Sequence, residues 1–407
     1  MIRLLFVAFL LTSCASSKIK SSVSDDAQKE LANRLAQKYI IADGHVDLPY
    51  RLKVKNFQLE KQYVGIPVKS AEGDFDFERA KKGGLKAPFM SIYIPASYEP
   101  AGAQLLADSL ITMVKWIADQ NKTYYEVATT PADVIRIAGQ GKIALPMGME
   151  NGSPIATLAD VKGYRQKGIS YITLTHSKDN KICDSSYDTT KTWKGLSPYG
   201  REVVKEMAKE GILIDVSHIS DNSFYQVIEI SPVPVIASHS SARKFTPGFE
   251  RNMSDDMIKV MGKNNGVIMV NFGSTFVDGE VAKKRTENQK KLGEVLKAKG
   301  LTFRDDAAKA VIDEFMKANP NAFADVEQVA DHVDHIVKLA GINHVGFGSD
   351  FDGVGDSLPT GLKDVADYPN LLYVLIKRGY SPADIEKICS GNIFRVWNAA
   401  LDYAAKN

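Results

Sequence analysis

Short apolar runs alternate along the chain with longer stretches in which apolar residues recur every three or four positions. The runs at 39–47, 89–94, 143–150, 171–176, 212–218, 233–239, 267–271 and 345–350 are mostly bounded by Gly, Pro, Asn or Asp. Such bounded apolar runs predict strands. Few polar residues interrupt them, as expected of parallel strands buried on both faces. Helical spacing fills several of the intervals, at 103–120, 197–210, 254–263 and 325–339. Ser254, followed by Asp255 and Asp256, has the chemistry of an N-cap. Ser381-Pro382 opens a closing helix with proline at its first position. Eight strands with intervening helices predict a (β/α)8 barrel of the TIM type, with an open doubly wound sheet as the alternative.

The interval 275–321 is long for one connection. It carries Lys283-Lys284-Arg285 and Lys290-Lys291, and helical periodicity returns around 292–296 and 307–315. The expectation is a helical insertion before the last strand whose charges form a solvated face, not a partner site.

The first residues follow another pattern. Arg3 precedes the apolar run 4–11, which ends at Thr12-Ser13-Cys14. One positive charge and a short apolar run make a secretory leader, well short of the ~20 residues of a bilayer span. Leu11-Thr12-Ser13-Cys14 resembles a bacterial lipobox, with cleavage before Cys14 and lipid on its thiol. The alternative is an ordinary leader that happens to contain a cysteine. Residues up to Asp26 are small and polar and read as a flexible tether. The expected organisation is a leader at 1–13, a tether at 14–26 and one barrel unit at 27–407 with its excursion at 275–321. It places the protein in the bacterial cell envelope, with the membrane reached only through lipid on Cys14.

Composition narrows the function classes. Lys+Arg number 51 against 49 Asp+Glu, a net charge of +2, which gives no hint of nucleic acid as partner. Hydrophobic residues at 44% and charged residues at 25% are globular values. Three cysteines, Cys14, Cys183 and Cys389, are too few for a disulfide framework, and whether Cys183 and Cys389 pair stays open.

Barrel active sites lie at the carboxyl ends of the strands. His45 and Asp47, two apart on the first, can point the same way. Glu150 ends the third predicted strand, His176 the fourth, His218 the fifth, His239 the sixth and Asp350 the eighth. One histidine at a strand end is ordinarily structural. Four of the chain's seven, together with carboxylates, make a metal site. Imidazole and carboxylate without thiolate suit Zn²⁺, Mn²⁺ or another borderline divalent ion. The ligand count suggests two ions, His45 and Asp47 on one, His218 and His239 on the other, with Glu150 as the bridge. Ions about 3.5–4 Å apart would make hydroxide available at neutral pH. His332 and His335, three apart on a helix leading into the last strand, are expected nearer the barrel's far side and structural. His344, in a turn, is expected to be structural too.

Taken together, these residues resemble the membrane (renal-type) dipeptidase family, the M19 metallopeptidases. The likeness runs from about Ile41 to Ala400. It is carried by Asp43-Gly44-His45-Val46-Asp47-Leu48-Pro49, Thr173-Leu174-Thr175-His176, Asp215-Val216-Ser217-His218, Ser238-His239-Ser240-Ser241-Ala242, Arg251-Asn252-Met253-Ser254-Asp255-Asp256 and Gly346-Phe347-Gly348-Ser349-Asp350-Phe351-Asp352-Gly353. The resemblance implies a (β/α)8 barrel with two zinc ions, His45, Asp47 and Glu150 on one, Glu150, His218 and His239 on the other, bridged by Glu150 and a water or hydroxide. It implies that His176 polarises the scissile carbonyl, that Arg251 grips the substrate's C-terminal carboxylate and that Asp350 moves a proton from water to the leaving amine. It further implies a dipeptide substrate with free termini, tolerance of a D-residue at the C-terminal position, and a homodimer. Asp352 is given a supporting or loop role. The chain departs from the family pattern at Glu150-Asn151-Gly152, where glycine often follows the glutamate directly, and from Lys178 to Cys183, at the substrate rim. A deaminase or phosphotriesterase-like barrel would usually begin with His-x-His and can bridge its metals with a carboxylated lysine; here the first strand has His-x-Asp. A non-catalytic lipid-anchored binding protein would need a degraded site.

Overall fold

The computed structural model describes residues 24–55, 58–59 and 68–407. The leader, Cys14 and most of the expected tether lie outside the described residues. The first described helix, Asp25–Lys38, begins where that tether was expected to end, with the Ala27 N–H donating to Ser24 Oγ as its cap.

Eight strands build the barrel: β1 (Ile41–Val46), β2 (Leu85–Tyr93), β3 (Met147–Glu150), β4 (Ile169–Thr173), β5 (Leu213–Asp215), β6 (Ile236–Ala237), β7 (Val267–Val270) and β8 (Val345–Phe347). They close in the order β1-β8-β7-β6-β5-β4-β3-β2, and every pairing is parallel. The fold is a (β/α)8 barrel; closure of β1 onto both β2 and β8 excludes the open sheet.

Burial on both faces explains why the strands read as unbroken apolar runs. Alternate residues fill the interior, where Ala87 and Phe89 of β2, Tyr171 of β4, and Val267 and Met269 of β7 share one cluster. Trp397, from the closing helix Asn392–Ala404, belongs to the same cluster, its ring 5.2 Å from Phe89. The barrel floor is thus solid, and chemistry is left to the opposite mouth.

The structure corrects several boundaries. The run 143–150 is two strands. Ile143–Leu145 pairs with Tyr125–Val127 in a small separate sheet, and only Met147–Glu150 joins the barrel. Pro146 lies between them, has no N–H to donate, and offers only its carbonyl, to Met90 N at 2.8 Å. The fifth and sixth strands are shorter than their apolar runs. Strand β5 stops at Asp215, because His218 has turned into a left-handed backbone with φ of 69°.

The insertion before β8 is helical, with Gly279–Ala298 and Ala308–Ala318 packed through Leu292, Leu296 and Ala308. Helix Val326–Ala340 follows, opened by a reciprocal cap between Asp325 and Gln328. Cys183 and Cys389 are both free and buried. Among the described residues no helix is long and apolar enough to cross a membrane.

Candidate metal centre

The end of β1 is bent. Its register against β2 shifts between Asp43 and Val46, and the His45 N–H donates to Asp43 Oδ1 at 3.0 Å. Asp47 then leaves the strand to start helix Leu48–Lys53. The bend brings His45 Nε2 within 3.4 Å of Asp47 Oδ2.

Glu150, at the end of β3, is buried at the centre. Its two oxygens face different partners. Oε2 lies 3.3 Å from His45 Nε2, while Oε1 lies 2.9 Å from His218 Nε2, 3.2 Å from His239 Nε2 and 3.8 Å from His176 Nε2. Three groupings could each hold an ion: His45, Glu150 and His239; Glu150, His176 and His218; and His45, Asp47 and Asp350. All seven expected residues therefore converge. The grouping is broader than expected, because His176 and Asp350 also stand at ligand distance.

The ring orientations follow from hydroxyl contacts that sequence reading missed. Tyr171 of β4 reaches His45 Nδ1, and Ser238 Oγ lies 2.8 Å from His239 Nδ1 while donating to Asp215 Oδ2 at 2.6 Å. Gly148 makes room for the tyrosine: a Cβ there would fall 1.9 Å from Tyr171 Cζ. The signal available was Asp215, a carboxylate at the end of an otherwise apolar strand.

These donors fit a divalent ion. His45 Nε2 and Asp47 Oδ1 are buried without a hydrogen-bond partner. His218 Nε2 and His239 Nε2 face each other at 2.8 Å, beside Glu150 Oε1. A cation satisfies such a crowd of lone pairs better than protons can.

Around this cluster the charges are strongly perturbed. Burial opposes ionisation of Glu150, yet the close imidazoles of His45, His176, His218 and His239 hold it well below the usual carboxylate range. Burial, then Arg251, keeps His218 neutral, and burial, then His45 and Arg251, does so for His239. Burial and the neighbouring Asp47 charge push Asp350 up to about 7. Asp350 sits at φ 65°, accepts from Asn271 Nδ2 at 2.8 Å, and is backed by Gly353. Left-handed backbone at a non-glycine residue costs energy and clusters at functional sites.

Arg251 reaches the centre from the loop after β6. It is buried; Nη1 donates to Ser240 Oγ at 2.6 Å, and Nη2 to the His239 carbonyl at 2.7 Å. Its Nε has no partner.

Over residues 29–407 the chain matches the model of the membrane dipeptidases, peptidase family M19. The chain belongs to the membrane dipeptidase family. A dipeptidase, tcpJ, of Claviceps purpurea (strain 20.1) is 30% identical over 376 residues, covering 89% of this chain and 77% of the relative. Among solved structures, the probable dipeptidase PvdM of Pseudomonas aeruginosa superposes with a TM-score of 0.77 at 24% identity, over 93% of this chain and 100% of that one. A metallopeptidase of Rhodobacter sphaeroides, liganded with a phosphinate mimic of the dipeptide L-Ala-D-Ala, gives 0.70 at 23% identity, over 89% and 99%. As a membrane dipeptidase family member the protein is a peptide-bond hydrolase of the metallopeptidase type, and the cluster at Glu150 is its candidate metal site.

The remaining expectations fall outside the cluster. Asp352 does not join it. It pairs with Arg51 Nε at 2.8 Å and accepts the Asp74 N–H at 2.7 Å, tying the loop after β8 to the segments after β1. His335 pairs with Asp255 at 2.7 Å and His344 with the Gly266 carbonyl at 2.8 Å. His332 is structural but not near the far side. It bonds to Ala242 and Val277, in the segments that follow β6 and β7 at the catalytic face. A helix antiparallel to its strands passes both ends of the barrel, so its sequence position does not tell which end a mid-helix residue serves.

Proposed function

We propose that the protein is a zinc dipeptidase with two ions, one held by His45, Asp47 and Glu150 and the other by Glu150, His218 and His239. The observation that carries this is the division of Glu150, Oε2 toward His45 and Oε1 toward His218 and His239. When bound, the ions would polarise the peptide carbonyl and lower the pKa of water enough to supply a nucleophile at neutral pH.

The chain's own residues supply the rest. Asp350, close to neutrality in its protonation, can take a proton from the attacking water and return it to the leaving amine. His176, kept neutral by burial, offers an imidazole N–H where negative charge develops on the carbonyl oxygen. Arg251 can receive the substrate's terminal carboxylate through its fork of donors, which requires a free C-terminus and fixes a short substrate in register. To do so it must give up its 3.0 Å approach to His218 Nε2. The mimic bound to the Rhodobacter relative motivates a D-residue at the C-terminal position here.

The same proposal includes the leader at 1–13, a tether at 14–26, the barrel unit at 27–407, export to the cell envelope and lipid on Cys14; radiolabelled fatty acid should be incorporated by the wild type and not by Cys14→Ala. It also includes a homodimer, to be read by sedimentation. The central test is a panel of L,L and L,D dipeptides assayed with a chelator and after zinc add-back. Turnover should vanish and return, and His218→Ala should lose metal and most activity. Full activity in metal-stripped protein, or both ions retained by His218→Ala, would overturn the assignment.

A further inference from the structure

Aromatic rings continue outward from the centre toward Arg251. The Tyr187 ring lies 5.9 Å from the His218 ring and 6.0 Å from Phe249; Phe249 lies 5.7 Å from Phe276; and the Arg251 guanidinium sits over Phe276 at 5.5 Å. Phe249 and Phe276 are half-buried and Tyr187 is 42% exposed, so apolar ring surface remains open beside a buried arginine.

The wall is fixed in place. The Ser186 N–H donates to the His218 carbonyl at 2.8 Å, and the Tyr187 N–H to Ser185 Oγ at 3.1 Å, so the loop carrying Tyr187 is tied to a candidate ligand. The charges at its edge are spent on each other. Lys191 Nζ pairs with Glu250 at 3.1 Å, and Glu250 also accepts the Asp221 N–H at 3.1 Å.

We propose that Tyr187, Phe249 and Phe276 form the seat for the side chain of the substrate's C-terminal residue and select apolar side chains there. This rests on the reading of Arg251 as the carboxylate clamp. In a dipeptide the C-terminal side chain and the carboxylate leave the same carbon. A carboxylate held at Arg251 therefore sets that side chain against the rings that flank the guanidinium. Apolar side chains gain by leaving water, glycine gains nothing, and a charged side chain would lose hydration without a free counter-charge. Tyr187 comes from the segment that follows His176.

The experiment measures kcat/KM of the zinc-loaded full chain on Ala-Gly, Ala-Leu, Ala-Phe and Ala-Asp. Ala-Leu and Ala-Phe should exceed Ala-Gly by about tenfold or more, the scale of an apolar pocket, with Ala-Asp poorest. Phe249→Ala and Tyr187→Ala, each an open position, should narrow the Ala-Phe to Ala-Gly ratio several-fold, chiefly through KM. A flat panel, a preference for glycine or aspartate, or a ratio unchanged in both variants would overturn the selection while leaving the dipeptidase intact. No turnover on any dipeptide would overturn the catalytic reading and this inference with it.

Discussion

The hydroxyl of Tyr171 stands between His45 Nδ1, at 2.8 Å, and the Gly44 carbonyl, at 3.0 Å. A carbonyl can only accept, so the hydroxyl gives its proton to Gly44 and takes the N–H of His45 Nδ1. That leaves Nε2 as the histidine's ligand atom, facing Glu150 and Asp47. Ser238 does the same for His239, with Asp215 as the final acceptor. Removing the hydroxyl while keeping the ring should loosen His45 without emptying the core. Tyr171→Phe is expected to bind zinc about 10- to 100-fold more weakly, by competition with a chromophoric chelator. Unchanged affinity would mean that the contact does not orient the ligand.

Gly353 is backed against two carboxylates of the centre, Asp47 and Asp350. A Cβ at this position would lie 2.1 Å from Asp47 Oδ2 and 2.3 Å from Asp350 Oδ1. Gly353→Ala must therefore displace one or both. A shift near 1 Å costs about a hundredfold in rate. The variant should keep its fold by circular dichroism and lose turnover to about that extent; wild-type kinetics would show that the carboxylates can move freely.

Arg251→Lys keeps the charge and loses the fork. It should raise KM for dipeptides about 10- to 100-fold while metal content, read by elemental analysis, stays at the wild-type level. An equal loss of bound metal would instead make Arg251 part of the ligand scaffold, through its contacts with the His239 carbonyl and His218.

His332 sets a pH limit on stability. The Ala242 N–H donates to its Nδ1 at 2.9 Å, and its Nε2–H donates to the Val277 carbonyl at 2.9 Å. Burial lowers its pKa to about 4 from an ordinary 6.5. The folded pKa lies below the unfolded one, so the contribution is complete above about 6.5 and is lost as pH falls toward 4. Its full size is about 3 kcal/mol. Denaturant midpoints should drop between about pH 7 and about pH 4.5, and less steeply in His332→Asn, which starts less stable. Parallel curves would assign the acid sensitivity elsewhere.

Much of the barrel was legible. Strands buried on both faces must be apolar throughout, so all eight surfaced as runs with few polar interruptions. The third was read too long, because Pro146 divides its run between two sheets. Strand ends were less legible, since a hydrophobic pattern carries no sign of the left-handed turns at His218 and Asp350. Chemistry was legible where a residue type was out of place. A histidine or carboxylate closing an apolar run is costly to bury, so its presence marks a task. Tyr171, Ser238 and Asn271 gave no such signal, because hydroxyl and amide groups are common in strands and loops.

The order of residues alone therefore determined a parallel α/β barrel and which side chains could meet at its mouth, because period, burial and strand direction are local properties of the chain. Only the tertiary structure decided how they meet: that Glu150 turns one oxygen to each side, that hydroxyls from β4 and the end of β6 orient the rings, that His332 serves the catalytic face, and that Tyr187, Phe249 and Phe276 line up beside Arg251. These are contacts between segments far apart in sequence. Their distances follow from closure of the barrel and the packing of its loops, which no local pattern encodes.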